Sequence, residues 1–178
     1  MGLEMKEEYL MLREEILHLD SVVNNTINFF YVFMATYVAF SLTQEDTIFI
    51  LLSFIVIIPA YLIVLNKMQG ICKIGAYLKV FHEGNGFNWE TRHMEYKEKN
   101  EMNHFRIISW HFPFILVSLA VSVLFILKTN WSNTLSFYEI CKIGAHIIMF
   151  ICVFYNVIKY RNISPRDYID KWTEIMVE

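Results

Sequence analysis

The chain has 178 residues, of which 56% are hydrophobic and 16% are aromatic. One soluble core of this size cannot bury so much apolar surface, and the composition also excludes a disordered chain, a collagen-like chain and a disulfide scaffold. The 15 Lys and Arg residues and the 18 Asp and Glu residues crowd into three segments, separated by tracts almost without charge. This distribution is typical of a multi-pass membrane protein, and the net charge of −3 does not favour nucleic-acid binding.

Four apolar runs approach the roughly 20 residues that a helix needs to cross the hydrocarbon core. They cover residues 27–43, 47–65, 107–127 and 137–158. The second and third runs are apolar on all sides, whereas a soluble helix has one apolar stripe. The fourth run is more polar, and a helix that lies in the membrane interface is its alternative. We therefore predict an all-α fold with four transmembrane helices.

The predicted organisation alternates polar and apolar segments along the chain. It comprises an N-terminal amphipathic helix (1–20), transmembrane helices 1 and 2 (21–66), a polar helical segment (67–106), transmembrane helices 3 and 4 (107–160) and a C-terminal helix (161–178). Gly84 and Gly86 break the central segment, and Ser164 caps the last helix ahead of Pro165. The three polar segments either pack together or rest separately on the lipid surface.

The Lys and Arg residues predict the orientation. Thirteen of the 15 lie in or beside the three polar segments, and only Lys128 falls between the third and fourth spans. The positive-inside rule then places both termini in the cytoplasm, and we expect an inner-membrane protein without a cleavable signal peptide. The three cysteines have no motif spacing, so neither a disulfide nor a metal or other cofactor is expected.

The fourth span contains the most informative polar residues. Spacings of three and four, continued through Met149 and Val153, place Glu139, Lys142, His146 and Asn156 along one side of a helix. Each ionisable group costs about 2.5–3.5 kcal/mol at the centre of a membrane helix, so this face must meet water or another helix. It either lines a pore or a polar seam between the subunits of a homo-oligomer, or Glu139 pairs with Lys142 near the outer surface and His146 hydrogen-bonds inside the bundle.

A pentamer, Cys-Lys-Ile-Gly-Ala, occurs at residues 72–76 and again at residues 141–145. It is consistent with a duplicated two-helix unit, although nothing outside the pentamer aligns. The small residues allow another backbone to approach closely, as at many contacts between membrane helices. We therefore predict helix packing at Gly75, Ala76, Gly144 and Ala145.

Arg13 and His18 form an Arg-x4-His arrangement in the N-terminal helix, and Arg106 and His111 form a second. The spacing resembles the motif of HEPN-type ribonucleases, whose arginine and histidine act on the RNA phosphodiester. The acidic residues around Arg13 would repel RNA, and HEPN domains are soluble bundles. Paired carboxylates, a phosphate-binding glycine loop and a nucleophile triad are absent from the sequence, so we do not expect an enzyme.

Three stretches, at residues 9–17, 74–81 and 87–92, are similar to small multi-pass proteins of bacterial anti-phage loci. The nearest class is the membrane ancillary proteins of RNA-targeting CRISPR and RADAR-type systems. The resemblance implies a membrane accessory or effector, in some members an oligomeric pore. Three hypotheses follow: an oligomeric pore-like effector, a non-conducting scaffold that docks a cytoplasmic defence protein, and a membrane-tethered HEPN-like ribonuclease. The candidate docking residues are Trp89, Tyr168 and Trp172.

Overall fold

The computed structural model describes residues 3–83, 88–92, 95, 103–129, 131, 136–160 and 163–177. All regular structure in these ranges is helical, which confirms the predicted all-α fold. The helices are α1 (Leu3–Thr43), α2 (Ile48–Tyr77), a π-helical continuation of α2 (Leu78–His82), α3 (Asn103–Lys128), α4 (Phe137–Tyr160) and α5 (Arg166–Val177). The predicted break at Gly84 and Gly86 lies outside the described residues.

Among the described residues, four helical segments are long and apolar enough to cross a membrane. They are Met5–Thr43, Ile48–His82, Trp110–Lys128 and Phe137–Tyr160. Helix α1 alone has 41 residues, which at 1.5 Å per residue makes it roughly 60 Å long, about twice the thickness of the hydrocarbon core. The N-terminal helix and the first span are therefore one uninterrupted helix, and no helix start occurs at the polar residues near position 24.

The chain divides into two compact units. One unit, here called the charged unit, comprises Met1–Asn25, Val64–Ile107 and Asn162–Glu178. The other, the span unit, comprises Thr26–Ile63 and Ile108–Arg161. Only seven of the charged residues fall in the span unit: Glu45, Asp46, Lys128, Glu139, Lys142, Lys159 and Arg161. The three polar segments of the sequence thus belong to the same unit.

Contacts between distant segments hold the charged unit together. The Tyr77 hydroxyl donates to Glu8 at 2.7 Å, and the indole N–H of Trp172 donates to the backbone carbonyl of Lys73 at 3.2 Å. These bonds tie α1 to α2 and α2 to α5. At the start of α5, the backbone N–H of Arg166 donates to the Ser164 hydroxyl at 3.3 Å, which confirms the predicted cap.

Aromatic rings fill the interior of the span unit. Phe114 on α3 lies 4.6 Å from Phe30 on α1 and 4.9 Å from Tyr61 on α2, measured between ring centroids. All three side chains are almost completely buried. This cluster joins three helices, and aromatic pairs of this kind add to the free energy gained from burial.

The two copies of the pentamer have different surroundings. A Cβ placed on Gly75 would lie 3.7 Å from Glu90 Oε2 and 3.9 Å from Pro165 Cγ, and Ala76 is fully buried, so the first copy packs closely in the charged unit. A Cβ on Gly144 would meet no described heavy atom within 4 Å, and Ala145 is only partly buried. Gly144 therefore has no close helix contact among the described residues, because the space beside it is open.

Candidate functional site at one end of the span unit

Lys142 on α4 is the buried centre of a charged cluster. Its side chain is 7% exposed, and its ammonium lies 2.8 Å from Glu139 Oε1 and 3.1 Å from Asp46 Oδ1. It also lies 4.5 Å from the centre of the Tyr138 ring. Two carboxylates and an aromatic face thus compensate the cost of removing this charge from water.

Asp46, in the short turn between α1 and α2, receives three hydrogen bonds. The backbone N–H of Ile48 donates to Oδ1 at 2.9 Å, the Tyr138 hydroxyl donates to Oδ2 at 2.9 Å, and Lys142 donates to Oδ1. The Ile48 bond, followed by the bonds from Lys142 and Tyr138, holds the pKa of Asp46 below its usual value, although partial burial opposes the shift. Asp46 is therefore ionised near neutral pH and ties this turn to α4.

Lys128, the last residue of α3, binds the other side of the same turn. Its ammonium donates to the backbone carbonyls of Ser41 and Leu42, at 3.2 and 2.8 Å, and to that of Gln44. Carbonyls at a helix C-terminus have no partner within the helix and carry partial negative charge. Lys128 therefore caps α1, and the turn between α1 and α2 connects to both α3 and α4.

These side chains surround an open cavity of about 280 Å³. It is lined by Glu45, Asp46, Thr47, Lys128, Tyr138, Glu139 and Lys142. Three carboxylates and two ammonium groups leave the lining with one excess negative charge at neutral pH. No group of three or more His, Cys, Asp or Glu residues within the described ranges is arranged to hold a metal ion.

His146 lies one helical turn from Lys142 but has apolar neighbours. Its ring is 4.5 Å from that of Phe125, nearly parallel to it, and 5.5 Å from that of Phe54, edge to face. Nδ1 is buried and has no hydrogen-bond partner among the described residues. The ring is thus enclosed by aromatic side chains within the span unit.

The polar face predicted on the fourth span therefore divides into three parts. Glu139 and Lys142 join the cluster, His146 packs against aromatic rings, and the Asn156 amide donates to the Cys152 backbone carbonyl at 2.8 Å on its own helix. Asp46, Tyr138 and Lys128 complete the cluster and were not predicted from the sequence. One feature of the sequence could have pointed to them: a lysine within an apolar span needs acidic partners, and a neighbouring turn can supply one.

A second buried polar contact joins α2 to α3. The Tyr61 hydroxyl lies 2.6 Å from His111 Nδ1. Tyr61 and His111 are both buried. His111 is therefore an internal hydrogen-bonding residue, rather than the interfacial anchor that its place next to Trp110 suggests.

Arg13 and His18, the HEPN-like candidates, lie in different environments of the charged unit. The Arg13 guanidinium is 3.1 Å from Glu90 Oε1 and stacks 4.1 Å from the centre of the Trp89 ring. Glu90 is buried, with 8% of its side chain exposed, whereas His18 is exposed. The contacts of Arg13 are those of a residue that holds two segments together.

Comparisons with known proteins give no family assignment. No protein-family model matches this sequence, no curated protein matches it, and no solved structure matches its fold.

Replacing Asp46 with Asn tests the cluster. Because the folded-state pKa is lowered, the ionised carboxylate stabilises the fold above its unfolded-state pKa of about 4, and this contribution is lost as the pH falls further. At pH 7, Asp46→Asn should lower the free energy of unfolding by roughly 1 kcal/mol. This figure is that expected for an ion pair, reduced because the Asp46 side chain is partly exposed to solvent. Thermal unfolding in lipid-free detergent from pH 7 to pH 3 should show a smaller acid-induced loss of stability for the variant than for the wild type.

The control is Glu45→Gln, in the same turn, which should change the free energy of unfolding by less than about 0.5 kcal/mol. Equal acid sensitivity of Asp46→Asn and the wild type would contradict the assignment.

Arg13→Ala and His18→Ala form a matched pair in the charged unit. Arg13→Ala should lower the free energy of unfolding by roughly 1–3 kcal/mol, because it removes the guanidinium that pairs with buried Glu90. His18→Ala should change it by less than about 0.5 kcal/mol. Thermal unfolding and cleavage of a single-stranded RNA are measured on both variants. RNA cleavage that both substitutions abolish, with stability unchanged, would instead support the ribonuclease hypothesis.

Proposed function

We propose that the protein is an integral inner-membrane scaffold whose charged unit docks a cytoplasmic partner protein. One observation carries the proposal: an open, mainly apolar groove of about 220 Å³ in the charged unit. It is lined by Glu8, Met11, Leu12, Lys73, Ile74, Tyr77 and Trp172. Three segments that are distant in the sequence contribute to it.

The walls of the groove are fixed before any partner binds. Tyr77 is held by its hydrogen bond to Glu8, and Trp172 by its bond to the Lys73 carbonyl and by an edge-to-face contact with Tyr77 at 5.2 Å. Met11 is 64% exposed. Rigid aromatic walls beside an exposed methionine are typical of surfaces that bind protein partners, because little conformational entropy is lost on binding.

The partner that suits this groove is an amphipathic helix of a protein. Its apolar face would meet Met11, Leu12 and Ile74, and its flanking charges would meet Glu8 and Lys73. Met11 and Leu12 fall in one of the stretches that resemble accessory proteins of anti-phage loci, and Ile74 and Tyr77 fall in another. This coincidence favours a partner encoded in such a locus.

The cytoplasmic location of the charged unit is part of the proposal. Its support is the distribution of Lys and Arg, thirteen of which lie in or beside the polar segments, while Lys128 is the last residue of the third span, next to the connection to the fourth. A protein partner is favoured over nucleic acid because the N-terminal helix is rich in Glu.

A conductive path through the span unit of a homo-oligomer is the second candidate. Four buried polar atoms in this unit lack a hydrogen-bond partner among the described residues: Thr47 Oγ1, Ser53 Oγ, Ser118 Oγ and His146 Nδ1. Such atoms favour bound water. We rank this candidate second because aromatic rings surround His146, so this residue does not face an open path within the chain. Ion flux through the reconstituted protein separates the two candidates.

A photoreactive amino acid at Met11 tests docking in living cells. Leu17 provides the control, because it is 68% exposed on the same helix but does not line the groove. The probe at Met11 should crosslink to one discrete protein, and Trp172→Ala should reduce that product several-fold because it removes a wall of the groove. The probe at Leu17 should give no such product. Equal crosslinking from both positions, or crosslinks to lipid alone, would contradict docking at the groove.

A further inference from the structure

We propose that the cavity at the turn between α1 and α2 binds a primary ammonium group, such as the headgroup of an ethanolamine phospholipid. The cavity lies in the span unit where α2 and α4 begin and where α1 and α3 end. Ends of membrane-spanning helices lie at the depth of the lipid headgroups. The site is separate from the groove proposed to dock a partner.

Both lysines of the cavity already bind other groups of the chain. The ammonium of Lys128 donates to three backbone carbonyls, and that of Lys142 binds two carboxylates and the face of Tyr138. Neither is therefore free to attract an anion such as phosphate. The excess negative charge of the lining favours a monovalent cation instead.

Oxygen acceptors remain beside these two lysines. Within the described part of the chain, Glu45 makes no hydrogen bond or ion pair, and Glu139 meets Lys142 through Oε1, with Oε2 as its second acceptor oxygen. Thr47 also lines the cavity, is 4% exposed, and has a buried hydroxyl without a hydrogen-bond partner among the described residues. A buried hydroxyl without a partner costs roughly 1–3 kcal/mol. These three oxygen acceptors equal in number the three N–H donors of a primary ammonium group.

The lining suits neither a divalent cation nor a quaternary ammonium. Ca²⁺ takes six to eight oxygen ligands and Mg²⁺ takes six, whereas the Lys142 ammonium occupies oxygens of two of the three carboxylates. A quaternary ammonium is bound by several aromatic faces, and Tyr138 is the one aromatic residue in the lining, with its face already over Lys142. A primary ammonium fits because it is small and donates hydrogen bonds.

Purified wild-type protein in detergent tests the proposal by native mass spectrometry with lipids of identical acyl chains. Phosphatidylethanolamine should bind about tenfold more tightly than phosphatidylcholine, because the trimethylated headgroup cannot donate hydrogen bonds. Glu45→Gln and Thr47→Val should each remove this preference. Thr47→Ser should retain it, and Glu14→Gln, at an exposed carboxylate of the charged unit, should leave it unchanged.

The source of the ammonium is resolved by adding free ethanolamine. Displacement of the lipid at millimolar ethanolamine, with the same loss in Glu45→Gln, would assign the site to free amines as well as to lipid. No displacement, with the lipid preference intact, assigns it to the lipid headgroup. Equal binding of the two lipids together with no effect of ethanolamine, or a preference that persists in both Glu45→Gln and Thr47→Val, would overturn the proposal.

Discussion

An ammonium group in a membrane-spanning helix is stable only beside opposite charge, and Lys142 obtains it from Glu139 on its own helix and from Asp46 in the turn between α1 and α2. By pairing with Asp46, Lys142 holds that turn against α4. Lys128 then binds the carbonyls of the same turn from the end of α3. All four helices of the span unit are thereby connected at one end by polar contacts.

This pairing bears on the function proposed for the span unit. Charges that are balanced within the chain have less need of water or of a second subunit, and aromatic rings surround His146 one turn further along α4. Both observations favour the proposal that the span unit is an anchor and that the groove of α1, α2 and α5 in the charged unit binds the partner. The open cavity beside Lys142 is the site proposed for a small cation.

The all-α fold and the long apolar helices could be predicted from the sequence, because both depend on local composition. Apolar helices of membrane-spanning length overlap all four predicted runs. Glu139 was named as a partner of Lys142, but its second partner, Asp46, was missed because it is 96 residues away in the sequence and no local pattern connects the two. Identical pentamers gave identical expectations for Gly75 and Gly144, yet only Gly75 packs closely, because packing depends on which segment folds against the helix.

The central claim is that the charge of Lys142 on α4 is compensated within the chain and that this helix lines no conducting path. Ion flux through the protein reconstituted in liposomes tests the claim most directly. Potassium and proton fluxes are followed with ion-sensitive dyes for the wild type, Lys142→Leu and His146→Leu. The account predicts that all three match protein-free liposomes. A wild-type flux that either substitution abolishes, with the variant still folded and inserted, would contradict it.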